Sequence, residues 1–296
     1  MPAIGRSRPA RGSSITRRRL LLGLGAAAAL GLARASAAET FSFGLTPVFL
    51  DNDIELLSML ERYLTGRLRR PVALIKRRTY QEISALLISG QLDAAWICDD
   101  PYVQYRNQLT LLAVPLYHHR PLYQTYIIVN EASRAQDFDD IRGTVHAFSD
   151  PDSTSGYLIT RWLLALRHTM PAQFFREFFF TYGHRNVIRA VGSGLAESGS
   201  IDGYVWDVMR DREPDLVRKT RIVYRSEWLG FPPMVAPNAR ANEPAVKAFA
   251  AALLDAASDP LGRQILDILA LDGFTTGTPD MYQSTLDKWR VVKAQV

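Results

Sequence analysis

From Thr40 onward the sequence alternates between short β-prone runs and stretches with apolar residues at helical spacing. No other feature narrows the possible folds as far. Thr40–Leu45, Val72–Lys76, Ala94–Ile97, Leu109–Tyr117, Tyr123–Asn130, Thr144–Phe148 and Arg221–Ser226 read as strands. Asp51–Leu68, Tyr80–Ser89, Asn186–Gly194, Glu243–Ser258 and Pro260–Leu271 repeat apolar residues every three or four positions and read as helices, the last two closing the chain. Phe174–Tyr182 reads as helix running into strand, and Ile201–Met209 as strand running into helix. Such alternation predicts an α/β architecture with mostly parallel central strands. Phe174, Phe175, Phe178, Phe179 and Phe180 follow a helix face and are assigned to the core. No internal repeat is visible.

Two strands divide the pattern. If Tyr123–Val129 and Arg221–Tyr224 are both crossovers, the segment between them is one lobe and the chain ends form the other. The expected division is residues 38–127 plus 231–296 for the first lobe and 128–230 for the second. A ligand would lie between the lobes, where helix N-termini at the carboxyl ends of the strands face the cleft.

The first 37 residues stand apart. Thr16-Arg17-Arg18-Arg19-Leu20-Leu21 opens an apolar run through Leu32, and Ala35-Ser36-Ala37 offers a small-residue cleavage site. This is the form of a secretory signal, and the paired arginines point to the twin-arginine export route. The run is well under the roughly 20 residues that a membrane span needs. The segment holds seven arginines and no acid, so a chain of net charge +5 leaves a mature portion of −2. The basic balance therefore belongs to the export signal and argues against nucleic acid as a partner. Cys98 is the only cysteine, which excludes an internal disulfide. The expectation is a periplasmic monomer stabilised by its core.

The most chemically suggestive stretch is Val145-His146-Ala147-Phe148-Ser149-Asp150-Pro151-Asp152-Ser153-Thr154-Ser155-Gly156. A β-prone run stops at Asp-Pro, hydroxyls and a glycine follow, and Tyr157–Leu166 reads as a helix. Hydroxyls and unpaired N–H groups then converge at one helix N-terminus, where the dipole favours an oxyanion. Asp, Ser and Thr also cap helices everywhere, so by themselves these residues fit either a cap or an anion site.

In order along the chain, several further markers join this one. They are Gly90-Gln91-Leu92-Asp93-Ala94-Ala95-Trp96, Tyr123-Gln124-Thr125-Tyr126-Ile127-Ile128-Val129, Gly183-His184, Gly199-Ser200-Ile201-Asp202-Gly203-Tyr204 and Leu271-Asp272-Gly273-Phe274 with Tyr282. Over nearly all of its mature length the chain resembles the phosphate, phosphite and phosphonate binding proteins of ABC transporters. The resemblance implies a type II periplasmic binding fold: two lobes, two hinge crossovers, and a cleft that closes on a small oxyanion. It implies that Ser153, Thr154 and Ser155 hold the anionic oxygens. Tyr80 and Tyr123 would be ligand-contacting tyrosines, His184 a cleft histidine, and Asp202 and Tyr204 contacts to the rest of the ligand. It further implies delivery of the solute to an inner-membrane permease and its ATPase. A receptor for an extracytoplasmic sensor kinase, or a binder of a different small organic ligand, would use the same fold.

The chain departs from the family after the Ala-Trp strand. Where phosphonate binders carry a small neutral loop, it has Cys98-Asp99-Asp100-Pro101-Tyr102. Carboxylates near an oxyanion repel it. Either Asp99 and Asp100 point away, or one of them meets a cationic part of the ligand such as an amine. No nucleophile–base pair, phosphate-binding P-loop or cofactor motif is present, so neither catalysis nor a cofactor is expected. Gly192-Ser193-Gly194 lacks the nucleophile-elbow spacing. His118 and His119 would point apart on a strand with no third ligand at metal-binding spacing. Cys98, at the end of a buried strand, is read as packing.

Overall fold

The computed structural model describes residues 39–47 and 54–295. The expected export signal lies outside the described residues, as do the first three residues of the helix expected from Asp51. The chain opens with β1 (Phe41–Leu45), α1 (Ile54–Leu68), β2 (Val72–Lys76), α2 (Tyr80–Ile88) and β3 (Ala94–Trp96), followed by α3 (Asp99–Tyr105) and β4 (Leu109–Leu116). A two-residue strand, β5 (Leu122–Tyr123), precedes β6 (Thr125–Asn130) and β7 (Val145–Phe148). A π-helical turn at Thr154–Leu158 runs into α4 (Ile159–Ala165). Then come α5 (Pro171–Phe174), β8 (Glu177–Phe180), α6 (His184–Gly192), β9 (Ser198–Asp202), α7 (Gly203–Arg212), α8 (Pro214–Val217) and β10 (Thr220–Arg225). The chain returns through β11 (Leu229–Gly230) and β12 (Met234–Pro237), and ends with α9 (Pro244–Leu254), α10 (Pro260–Leu269), β13 (Gly273–Thr275) and α11 (Gln283–Lys293).

These strands form a six-stranded sheet of order β13-β4-β12-β3-β1-β2 and a five-stranded sheet of order β10-β6-β9-β7-β8. A two-stranded ribbon of β5 and β11 lies between them in the sequence. The first sheet thus combines residues 41–116 with 234–275. The second begins at Thr125, so Thr125–Ile127 pair with Asp202, Ile201 and Ser200.

The expectation of mostly parallel central strands is not met: parallel pairing is confined to one end of each sheet, the edge strands β2 and β8 included. β1 is parallel to β2 and β3, and β7 to β8 and β9. The remaining pairings are antiparallel, including β12 with β3 and β4, β13 with β4, and β6 with β9 and β10. The physical reason is the route of the chain. β12 enters the first sheet on the return from the second, not through a helical crossover, so nothing imposes a parallel direction on it.

Other departures are local. Cys98–Tyr102 was expected as a loop, but Asp99 and Asp100 begin α3, where the helix dipole favours their charge. α11 was not foreseen, although Leu286, Trp289 and Val292 recur at three-residue spacing. The phenylalanine run is not one helix face: Phe174 and Phe175 are buried at the end of α5, whereas Phe178–Phe180 lie on β8 and are half-buried. His118 and His119 sit in a turn with positive φ, not on a strand.

Local chemistry explains the helix starts that position the site. Thr79 and Glu82 form a reciprocal capping box on α2. Asp202 caps α7 by accepting from the N–H groups of Tyr204 and Val205. In the six-stranded sheet Phe249 stacks on Phe41 at 5.1 Å and packs against Phe43 at 4.8 Å. In the five-stranded sheet Gly199 allows the close approach of α6, since a Cβ there would lie 2.5 Å from Val187 Cγ1.

Candidate functional site

The hydroxyl-rich stretch after β7 is built by its own backbone. Asp150 ends the strand, its Oδ1 accepts from the Asp152 N–H at 2.9 Å, and the Ser153 N–H bonds back to the Asp150 carbonyl. The Ser153 carbonyl accepts from both Tyr157 and Leu158 N–H at 3.0 Å, which widens the first turn into a π-turn. Ser153 Oγ accepts from the Gly156 N–H at 3.0 Å. Gly156 is required by proximity, because a Cβ there would fall 1.7 Å from Ser149 Oγ. Ser153, Thr154 and Ser155 are all buried. Ser153 therefore does serve as a cap, and all three residues are withdrawn from bulk solvent, which surface caps are not.

Residues from the first sheet's half of the chain face this turn. The Thr154 N–H donates to Cys98 Sγ at 3.3 Å, and the Cys98 thiol lies 3.6 Å from Thr154 Oγ1. The sole cysteine thus bridges the end of β3 to the hydroxyl turn, and burial pushes its thiol pKa up, away from the reactive thiolate. Asp99 is fully buried. Its Oδ1 accepts from the Tyr123 hydroxyl at 2.8 Å and the Cys98 thiol at 3.3 Å, and its Oδ2 accepts from the Thr285 hydroxyl at 2.9 Å. Burial still raises the Asp99 pKa, outweighing these donors. Tyr80 joins the group through its backbone, whose N–H donates to Asp150 Oδ2 at 3.2 Å. A carboxylate on the β7 side therefore sits at the N-terminus of α2 on the other, with its pKa raised by burial to about 6.

The remaining expected residues distribute differently. The Asp202 N–H donates to His184 Nδ1 at 3.1 Å, which places the imidazole proton on Nε2. Burial holds His184 neutral, with its pKa lowered to about 3. Burial drives Asp202 up to about 8, and the Asp99 charge adds to the rise. The Tyr204 hydroxyl is committed to the Leu269 carbonyl, and its ring packs against Tyr117 and Phe231. Asp100 faces another group: Gln104 Nε2 donates to it at 2.9 Å, Asp152 and Lys293 act on it through charge, and burial raises its pKa to about 7. Of the two acids that depart from the family pattern, Asp99 is the one joined to Tyr123 and, by way of Cys98, to Thr154.

Three contributors were not legible as site residues. Thr285 lies on the unforeseen α11. Asp150 was part of the motif but had no assigned role. His146 sits beneath the hydroxyl helix, its Nδ1 and Nε2 each 2.8 Å from the hydroxyls of Ser198 and Ser200, and Ser200 reaches Thr160 of α4 at 2.6 Å. The alternation of Ser198 and Ser200 along β9 was the available signal, since both point to one face. Among the described residues, no group of three or more His, Cys, Asp or Glu side chains could hold a metal ion, and no helix is long and apolar enough to cross a membrane.

Comparison with known proteins places this geometry. A family model for the periplasmic substrate-binding protein of phosphonate ABC transporters matches residues 43–282. A binding-protein component of an ABC phosphonate transporter from Pseudomonas aeruginosa superposes with a TM-score of 0.78 at 16% identity, covering 87% of this chain and 89% of that one. A Prochlorococcus marinus protein solved in complex with methylphosphonate gives a TM-score of 0.77 at 18% identity, covering 86% and 98%. The periplasmic aliphatic sulphonate binding protein of Escherichia coli gives 0.58 at 14% identity, covering 86% and 93%. At these identities the superpositions show the fold: an α/β, type II periplasmic binding protein.

Proposed function

The chain belongs to the periplasmic substrate-binding proteins of phosphonate ABC transporters, and on that premise we propose that it binds a small phosphonate-, phosphite- or phosphate-like oxyanion between its two sheets. Proteins of this family bind a solute and do not transform it. In our reading the lobes are residues 38–127 with 231–296, and residues 128–230, with the β5–β11 ribbon as the hinge region. Ser153, Thr154 and Ser155 supply hydroxyls to the anionic oxygens, Tyr80 and Tyr123 close over them, and His184, Asp202 and Tyr204 shape the remainder. Residues 1–37 direct export by the twin-arginine route. The loaded protein, a monomer, then presents its solute to a permease and ATPase of the inner membrane.

The observation that carries this reading is the burial of three consecutive hydroxyl residues at the start of a helix, with Thr154 bonded to Cys98 of the opposite half of the molecule. Desolvated hydroxyls and helix N–H groups are strong donors to an anion. A thermal-shift screen with methylphosphonate, phosphite, phosphate and sulfate tests it, because a ligand of the native state alone raises the melting temperature. Thr154→Val keeps volume and removes the hydroxyl. It should weaken the bound anion by about 1.5–3 kcal/mol, the value of a hydrogen bond to a charged group. Equal affinity in parent and variant would move the site elsewhere.

A further inference from the structure

Asp99 makes a set of contacts that a ligand oxygen would make. Its two carboxylate oxygens collect the hydroxyls of Tyr123 and Thr285 and the thiol of Cys98, drawn from β5, α11 and the end of β3. One of these donors, Tyr123, belongs to the proposed oxyanion site, and the Cys98 thiol lies 3.6 Å from the hydroxyl of another member, Thr154. Among the described residues Asp99 enters no ion pair, so hydroxyls, not a cation, satisfy it. Its surroundings are acidic or neutral: Asp100 beside it on α3, Asp202 on β9, the phenols of Tyr80 on α2, Tyr123 on β5 and Tyr282 ahead of α11, and the Cys98 thiol. A second anion brought onto the same hydroxyls would meet a carboxylate with no counter-charge in contact.

We propose that Asp99 sets the specificity of the cleft by occupying, as a carboxylate, hydroxyl donors that a ligand oxyanion needs, so that the anion is admitted only when Asp99 carries a proton. This inference rests on the oxyanion reading above. Protonated, Asp99 releases its hold on the Tyr123 hydroxyl, and its own O–H becomes a donor to the ligand. The proton comes from solvent, so binding consumes one proton beyond any that the ligand itself takes up. Raising the pH above the range in which the free protein's Asp99 titrates therefore weakens binding. The burial-driven rise of the Asp99 pKa brings that range closer to neutrality.

The test is calorimetric titration of methylphosphonate into the parent and Asp99→Asn between pH 5.5 and 8.5, each in two buffers of different ionisation heat. The ligand's own protonation is common to both proteins and cancels in their difference. The parent should take up as much as one proton more than Asp99→Asn. Above the pH at which Asp99 of the free protein titrates, its affinity should fall by about tenfold per pH unit relative to the variant, as linkage requires for one coupled proton. The variant should be the tighter binder at pH 8.5. Equal proton counts with parallel pH profiles overturn the proposal. So does a folded Asp99→Asn that binds more weakly than the parent at every pH, because Asp99 would then be a direct acceptor. A parent that takes 2-aminoethylphosphonate without proton uptake and rejects methylphosphonate also overturns it, since the carboxylate would then be meeting an ammonium. If Asp99→Asn does not melt cooperatively, Asp99→Gly supplies the same comparison without the carboxyl group. Absence of phosphonate binding from parent and variants alike removes the oxyanion reading itself, and this proposal with it.

Discussion

The six-stranded sheet packs Phe41 and Phe43 against Phe249 of α9, whereas the five-stranded sheet holds His146 between Ser198 and Ser200 and ties that network to Thr160 of α4. Both interiors are closed to solvent, but they fail differently. An apolar interior loses stability in proportion to the volume removed. A buried polar network depends on each member having its partner, because an orphaned donor or acceptor bears a full desolvation penalty. The polar network also has a position: it underlies the helix whose first turn carries Ser153, Thr154 and Ser155. The imidazole stacks on Phe175 at 4.2 Å, so its two serine contacts fix the ring in its plane while the phenylalanine fixes it from the side. One sheet is built for cohesion, the other to hold a hydroxyl turn in one orientation.

The largest expected effect is on the apolar side. Phe249→Ala should cost about 3–5 kcal/mol, the range for deleting a buried phenylalanine ring. Chemical denaturation would show it as a lower midpoint at unchanged slope. Affinity for an identified anion should be almost unaffected in the folded fraction. A large loss of affinity would mean that the two regions are not separable.

His146→Leu should cost less, about 1–3 kcal/mol for the polar partners left behind. Ser198 keeps Thr144 at 2.9 Å, and Ser200 keeps Thr160, so the loss is partial. Unlike Phe249→Ala, this change should weaken anion binding, because it frees the helix beneath the hydroxyl turn. Combining His146→Leu with Ser200→Ala should give less than the sum of the two, as expected for members of one network. Strict additivity would break the contrast drawn above.

The pH response separates the regions again. Burial lowers His146 and His184 to about 3 and raises Asp150, Asp100 and Asp202 to about 6, 7 and 8. The histidines contribute stability that is present above their unfolded value near 6.5 and lost as the pH falls toward 3. The carboxyl groups have raised folded values, so their contribution is complete below about pH 4 and is lost as the pH rises through 6 to 8. The ligand-free protein should therefore melt at the highest temperature in mildly acidic buffer and at lower temperatures toward pH 9. Asp202→Asn keeps the α7 cap, because asparagine caps as well as aspartate, and should flatten the alkaline side. A melting profile identical to the parent's would show that Asp202 stays ionised in the fold.

Much of the fold was legible because it is local. β2 agrees residue for residue with its expected span, and α2 begins at the expected Tyr80, because Thr79 and Glu82 announce the cap in sequence. The hydroxyl turn was legible for the same reason: its hydrogen bonds run between neighbours in the chain. The antiparallel entry of β12 was not, since its direction depends on a return from another sheet. Nor was the environment of Asp99. Its partners Tyr123 and Thr285 lie 24 and 186 positions away, and no periodicity links them. The sequence marked Asp99 as anomalous only because it stands where the resembling family has a small residue.

The smallest expected effect lies at the N-terminus of α2, where the two halves of the molecule meet on one helix. Thr79 Oγ1 accepts from the Glu82 N–H at 3.2 Å, and the Glu82 carboxylate accepts from the Thr79 N–H at 3.0 Å. From the β7 side, Asp150 Oδ2 accepts from Tyr80 at 3.2 Å. Thr79→Ala removes the local cap and should cost about 1 kcal/mol, while Thr79→Ser should cost almost nothing. Asp150→Asn keeps an acceptor but removes the charge, so its effect should shrink as the pH falls below about 6, where Asp150 is already protonated. The two changes act on different N–H groups of the same turn, and their combination should be close to additive. A Thr79→Ala cost of only a few tenths would mean that Asp150 caps α2 unaided. The helix would then depend on the opposite sheet for its start, and the two regions would be coupled through the very place where a ligand is proposed to bind.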